Sequence, residues 1–158
     1  MTVQLTVCEN VNARARTVFD TAVAFDARTL IQKTGIMPGI VDVAGHDAPW
    51  VNVGETRRHT LSDNSSVREE LISITPGKSF AYRLTDFTGS LAPLVRGARA
   101  DWHFTQIGQE KTKIEWTYVF TPTSAIAEPI LWFIVKLFWP KYLKNALERV
   151  KEKAESPT

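Results

Sequence analysis

The sequence predicts an α+β domain in which one antiparallel sheet of seven strands packs against a long C-terminal helix. Three observations predict it. A strand-like segment and two short helical segments open the chain, strand-like segments with turn chemistry between them fill its middle, and a helical period returns from about Ser124. The order is β-α-α-β6-α.

Residues 2 to 11, "TVQLTVCENV", alternate as a strand does. Asn12 stands where an N-cap would precede "ARARTVFDTAVAF", whose Val18, Ala22 and Phe25 share one helical face. Asp26 is the expected cap of a second helix, "ARTLIQKTG", with Gly35 as its stop. Six strand-like segments then follow: "GIVDVAG", "WVNVGETRRHTL", "SVREELISI", "SFAYRLTDF", "GARADWHFTQI" and "TKIEWTYVFT". Connections this short join antiparallel neighbours, because parallel pairing needs a crossover of about a dozen residues. In the last strand Ile114, Trp116, Tyr118 and Phe120 oppose Lys113, Glu115, Thr117 and Thr121, so one face of the sheet is apolar and rich in aromatics.

At 158 residues the chain is expected to form one domain, 1–158, with 44% hydrophobic and 23% charged residues. A net charge of +2, with no concentrated basic patch, argues against a nucleic-acid partner. Cys8 is the only cysteine, so neither an intramolecular disulfide nor a cysteine-based zinc site can form. His46, His59 and His103 fall on separate segments without metal-ligand spacing, and we expect them at the surface. No metal or cofactor is expected. The opening residues show no secretory pattern, which makes a cytoplasmic location the expectation.

The stretch "ILWFIVKLFW", residues 130 to 139, is the most apolar of the chain, yet Glu128, Pro129, Pro140 and Lys141 bound it well short of the roughly 18 apolar residues of a membrane span. Leu143, Leu147 and Val150 define the buried side of the terminal helix, and projection backwards puts Trp139, Val135 and Trp132 on that side. The same projection sends Ile130, Phe133, Ile134 and Leu137 outward, toward a weak homodimer or a peripheral membrane contact. In the membrane case Lys136, Lys141 and Lys144 would meet headgroups.

"ETRRHTLSDNSSVREEL" is the most charged part of the sheet. A two-residue turn at Asp63 and Asn64 would set Arg58 opposite Glu69 and Arg57 opposite Glu70, with the two couples on opposite faces. Such couples either sit as solvated ion pairs or turn an Arg and a Glu inward, where burial would raise the carboxyl pKa toward a value suited to proton transfer.

With "ARARTVFDTA", "GETRRHTLSDNSSVREEL", "SFAYRL", "DWHFTQIGQEKTKIEWTYVFTP" and "YLKNALERVKE" in view, the chain resembles the START-like, or SRPBCC, superfamily in its polyketide cyclase/dehydrase branch. The resemblance covers nearly the whole chain and implies the helix-grip fold, with a ligand cavity between sheet and terminal helix. It also implies an Arg after "G-x-T" and a Glu in "V-x-E-x-L", here Arg57 and Glu69, a pair that the two-residue turn would separate. A bulge or a longer turn would reconcile them.

The expected function is therefore binding or carriage of a hydrophobic or amphipathic small molecule or lipid. The alternatives are a cofactor-independent polyketide cyclase/dehydratase, with Glu69 as acid/base and Arg57 or Tyr82 polarising a carbonyl, and a peripheral membrane lipid-handling module. Phe80, Tyr82, Trp102, Phe104, Trp116, Tyr118, Trp132, Val135 and Trp139 are the candidate ligand-binding residues, with ordinary core packing the competing account of the aromatics.

Overall fold

The computed structural model describes residues 1–156. Strands β1 (Val3–Val11), β2 (Ile40–Gly45), β3 (Thr56–Leu61), β4 (Ser66–Thr75), β5 (Ser79–Thr85), β6 (Val95–Gly108) and β7 (Lys111–Pro122) form one sheet in the order β1-β7-β6-β5-β4-β3-β2. Every neighbouring pair is antiparallel. Helices α1 (Ala15–Val23) and α2 (Ala27–Leu30) follow β1, and α3 (Ala127–Glu155) closes the fold. This is the expected seven-stranded helix-grip α+β architecture.

Local chemistry moves several boundaries. Helix α1 begins after Arg14 without a side-chain cap, while the backbone N–H of Asn12 donates to Glu155 Oε2 at 2.7 Å, so Asn12 does not cap it. Asp26 does cap α2, its Oδ1 accepting from the Arg28 N–H at 2.9 Å. That helix stops at Leu30, short of Gly35, because Ile31 is already extended. Gly35, at φ 59°, sits instead in the turn between the bridged residues Thr34 and Met37. Residues 50–55, expected in a strand, form a loop that buries Trp50.

The hairpin between β3 and β4 corrects the expected register. Arg57 is opposite Glu69 and Arg58 opposite Arg68. The Asn64 N–H donates to the Leu61 carbonyl at 2.9 Å, and the Leu61 N–H to the Ser65 carbonyl at 2.8 Å. Asn64 itself has φ 69°. This is a type I turn followed by a left-handed residue, a loop of about three residues rather than two, and the extra residue shifts every pair by one. Arg57 and Glu69 therefore share a face.

Helix α3 runs through Pro140 without a break. Its buried residues are Ala127, Leu131, Val135, Trp139, Tyr142, Leu143, Ala146, Leu147, Val150 and Ala154. The buried positions fall in rows of four, so the stripe drifts around the helix as an i±4 row does; Val135 and Trp139 are buried as projected, and the projection departs at Trp132 and Ile134. Leu131 is buried where Trp132 was expected, and Trp132 is 51% exposed. Ile134, expected outside, is half-buried, while Ile130, Phe133 and Leu137 are exposed as projected.

Strand β1 is an edge of the sheet, and α3 covers that edge with cations. Lys136, Lys144 and Lys151 donate through Nζ to the carbonyls of Gln4, Cys8 and Asn10. Occupied carbonyls cannot recruit another strand. Lys136 and Lys144 thus each direct an ammonium N–H onto the protein's own backbone.

Candidate functional site

Between the sheet's inner face, α3 and the loops that follow α2 and β5 lies a cavity of about 320 Å³. Its far walls are tied to α3 by side chains of the helix's second half. Tyr142 donates through its hydroxyl to the Pro38 carbonyl at 2.5 Å, and Arg149 Nη1 to the Leu30 carbonyl at 2.9 Å. On the opposite side the loop after β5 closes on the β3–β4 hairpin, where the Thr88 N–H donates to the Ser66 carbonyl at 3.0 Å and Thr88 Oγ1 accepts from the Ser66 N–H at 2.8 Å. Exposed lining residues Ile36, Asp63, Ser90 and Phe138 mark the mouth.

Register explains the room inside. Tyr82 of β5 and Tyr118 of β7 both pair with Ala100 of β6, whose small side chain lets the two phenols lean together, with hydroxyl oxygens 3.4 Å apart. Trp102 Nε1 donates to the Tyr82 hydroxyl at 3.4 Å. Leu84 and Phe120 likewise flank Ala98. Burial pushes both phenols above the ordinary tyrosine pKa, Tyr82 further through the Glu69 charge and Tyr118 further through Tyr82, so both remain neutral donors.

Beside the tyrosines the inner faces of β3 and β4 bring Arg57, His59 and Glu69 together. Arg57 donates from Nε at 3.0 Å and Nη2 at 2.8 Å to Glu69 Oε1, and His59 Nε2 lies 3.3 Å from Glu69 Oε2. The guanidinium also sits 4.1 Å from the centre of the Trp50 ring, which stacks on His46. Burial of Glu69 raises its pKa, but the Arg57 charge and the hydrogen bonds from Arg57 and His59 outweigh that and hold it at about 2. The carboxylate is therefore a fixed anion, opposite to the upward shift expected of an inward Glu.

The site residues named from sequence divide into groups. Arg57, Glu69, Tyr82, Trp116, Tyr118 and Trp139 line the cavity. Phe80, Trp102 and Phe104 stack on one another behind it, with Phe19 of α1 edge-on to Phe80 and Phe104. Val135 is buried outside the cavity lining, and Trp132 faces away. His59, expected at the surface, is 1% exposed and lines the cavity. Its place opposite Val67 on the same face as Arg57 follows from the register, which is the signal that alternation around the hairpin could have supplied. His103 is exposed, and His46 lies in the loop before β3, partly exposed.

A seven-stranded sheet holding a long helix over a largely apolar cavity defines the helix-grip class of ligand-binding and cyclase proteins. The chain belongs to the polyketide cyclase / dehydrase and lipid transport family, whose model matches residues 2–155. No curated protein matches by sequence. Among solved structures, the chain is similar to norcoclaurine synthase from Thalictrum flavum in complex with dopamine and hydroxybenzaldehyde, at 13% identity, 99% of this chain, 90% of that one and a TM-score of 0.70. It is similar to the Zhui aromatase/cyclase from Streptomyces sp. R1128, at 16% identity, 99% and 98% coverage and a TM-score of 0.68. It also resembles the ginseng major latex-like protein 151 from Panax ginseng, at 12% identity, 99% of both chains and a TM-score of 0.67. At these identities the likeness establishes the fold.

Proposed function

We propose that this protein binds a small, largely apolar molecule in the cavity between sheet and α3, and acts as its binding or carrier protein. The observation that carries the reading is the cavity of about 320 Å³, whose apolar walls end in a cluster of hydrogen-bonding groups. The apolar body of the ligand would lie against Phe120, Trp139 and Leu143, and its polar end would face Tyr82, Tyr118, His59 and the Arg57–Glu69 pair. Native mass spectrometry of freshly purified protein tests this: a retained molecule of matching size supports it. Emptiness, together with failure of every lipophilic probe to bind, refutes it.

A cyclase or dehydratase is the second reading, favoured by the convergence of Arg57, His59, Glu69 and two phenols at one end of the cavity. The Zhui aromatase/cyclase and norcoclaurine synthase lend support through their shared fold. Glu69 fits poorly as a proton donor in that reading, since it is held ionised by Arg57 and His59.

The exposed apolar side of α3, with Ile130 at 50%, Phe133 at 59% and Leu137 at 57% exposure, needs its own occupant. We assign it to a second copy of the chain in a weak homodimer. Membrane docking ranks below this, because Lys136 and Lys144 are engaged on β1 and the electrostatic half of an interfacial helix is depleted.

A further inference from the structure

Two buried side-chain nitrogens, His59 Nδ1 and Trp116 Nε1, have no hydrogen-bond partner among the described residues. Both residues line the cavity, and each is 1% exposed. A buried polar atom without a partner is costly, and here two of them belong to residues of one cavity wall, where a bound molecule would supply the missing partners.

Their chemistry states what that molecule must offer. Arg57 donates twice to Glu69 Oε1 and keeps the carboxylate ionised, which makes Glu69 an acceptor only. The facing nitrogen, His59 Nε2 at 3.3 Å from Oε2, must then carry the ring proton. Arg57 already balances the charge of the one buried carboxylate, so a single ring proton, on Nε2, satisfies Glu69, and the other nitrogen, Nδ1, is left as a lone pair that asks for a donor. Trp116 Nε1 is a donor only and asks for an acceptor. A hydroxyl group is both.

We infer that His59 Nδ1 accepts a hydrogen bond from a hydroxyl of the bound molecule, which makes the site selective for hydroxylated ligands over apolar isosteres. Glu69 is the positioning residue that fixes the His59 tautomer, and Trp116 Nε1 donates to the same oxygen or to a second one. This rests on the cavity being a binding site, and it adds which apolar molecules are accepted.

The test uses naphthol and the matching isomer of methylnaphthalene, in which a methyl replaces the hydroxyl at nearly constant shape. Affinities are measured for wild type and for His59→Phe. The ratio of naphthol to methylnaphthalene affinity is expected to fall about tenfold or more in the variant, the loss that an unmade hydrogen bond to a buried group produces. An unchanged ratio with both probes still bound overturns the role of His59 and leaves the cavity reading standing. Failure of either probe to bind any form overturns both. Nitrogen-15 spectra of histidine-labelled wild type supply a reading that does not depend on the variant folding. His59 is expected as the Nε2–H tautomer, with its Nδ1 resonance moved by naphthol and not by methylnaphthalene. An Nδ1–H tautomer, or a resonance that naphthol leaves in place, overturns the proposal.

Discussion

Arg57 directs two hydrogen bonds, at 3.0 and 2.8 Å, onto one oxygen of Glu69 and leaves the other oxygen to His59 at 3.3 Å. The Arg57 and Glu69 side chains are only 11% and 8% exposed, so neither charge can turn to water for compensation. Removing one partner strands the other, and Arg57→Met is expected to destabilise the fold by about 3–5 kcal/mol in urea unfolding. A loss below about 1 kcal/mol would mean that water reaches Glu69.

The same pair sets an acid limb of stability. The folded Glu69 pKa lies near 2, below the usual 4.5. The unfolded state therefore binds more protons between those values, and the stabilisation, present above about 4.5, drains away as pH falls toward 2. On the order of 3 kcal/mol is involved. Unfolding free energies measured across that window are expected to fall with acid in wild type and to fall less in Glu69→Gln, which has no proton to take up at this position.

All of the chain's 3 tyrosines carry raised pKa values, Tyr82, Tyr118 and Tyr142 each chiefly through burial. The native protein is expected to show no phenolate absorbance near pH 10, where a free phenol titrates. The unfolded chain loses these protons first, so stability falls as pH rises above about 10. An ultraviolet titration checks this directly: absorbance appearing before the loss of the native circular dichroism signal would place at least one phenol in water.

The aromatic alternation in β5, β6 and β7 was legible because one face of an antiparallel sheet is wet, and Phe80, Trp102 and Trp116 were assigned correctly to the inner face. Which of them border the cavity was not, since period-two alternation says only which face a residue takes. Phe80 and Trp102 lie behind the cavity with α1, whereas Trp116 reaches it. The hairpin register hung on one residue, Asn64, whose left-handed conformation lengthens the turn, and with the register wrong His59 could not be seen beside Glu69. The family pattern of Arg57 and Glu69 carried the information that local turn chemistry concealed.

Trp116→Phe separates cavity wall from core. The indole N–H has no partner among the described residues, so its removal deletes a buried unsatisfied donor and is expected to change the melting temperature little, the lost ring volume opposing that gain. Binding of a lipophilic ketone, which can only accept, is expected to weaken about tenfold, and the tryptophan quenching caused by the probe to diminish. A large drop in melting temperature with unchanged ketone affinity would make Trp116 a packing residue alone.

Trp132, Phe133 and Leu137 are exposed on α3, while Ile134 and Phe138 of the same helix line the cavity, so the apolar patch runs into the binding site's edge. Charging Ile134 would disturb the cavity as well as the patch, whereas Phe133 and Leu137 are 59% and 57% exposed and outside the cavity lining. The double variant Phe133→Glu, Leu137→Glu is therefore expected to keep the wild-type fold and probe affinity. Sedimentation equilibrium is expected to show wild type associating reversibly to a dimer as concentration rises, and the variant remaining monomeric, because like charges would face each other across a two-fold contact. Vesicles of neutral and anionic lipid distinguish the rival occupant. A wild type that stays monomeric but co-sediments with vesicles, with the variant released from them, assigns the patch to a lipid surface and sinks the homodimer.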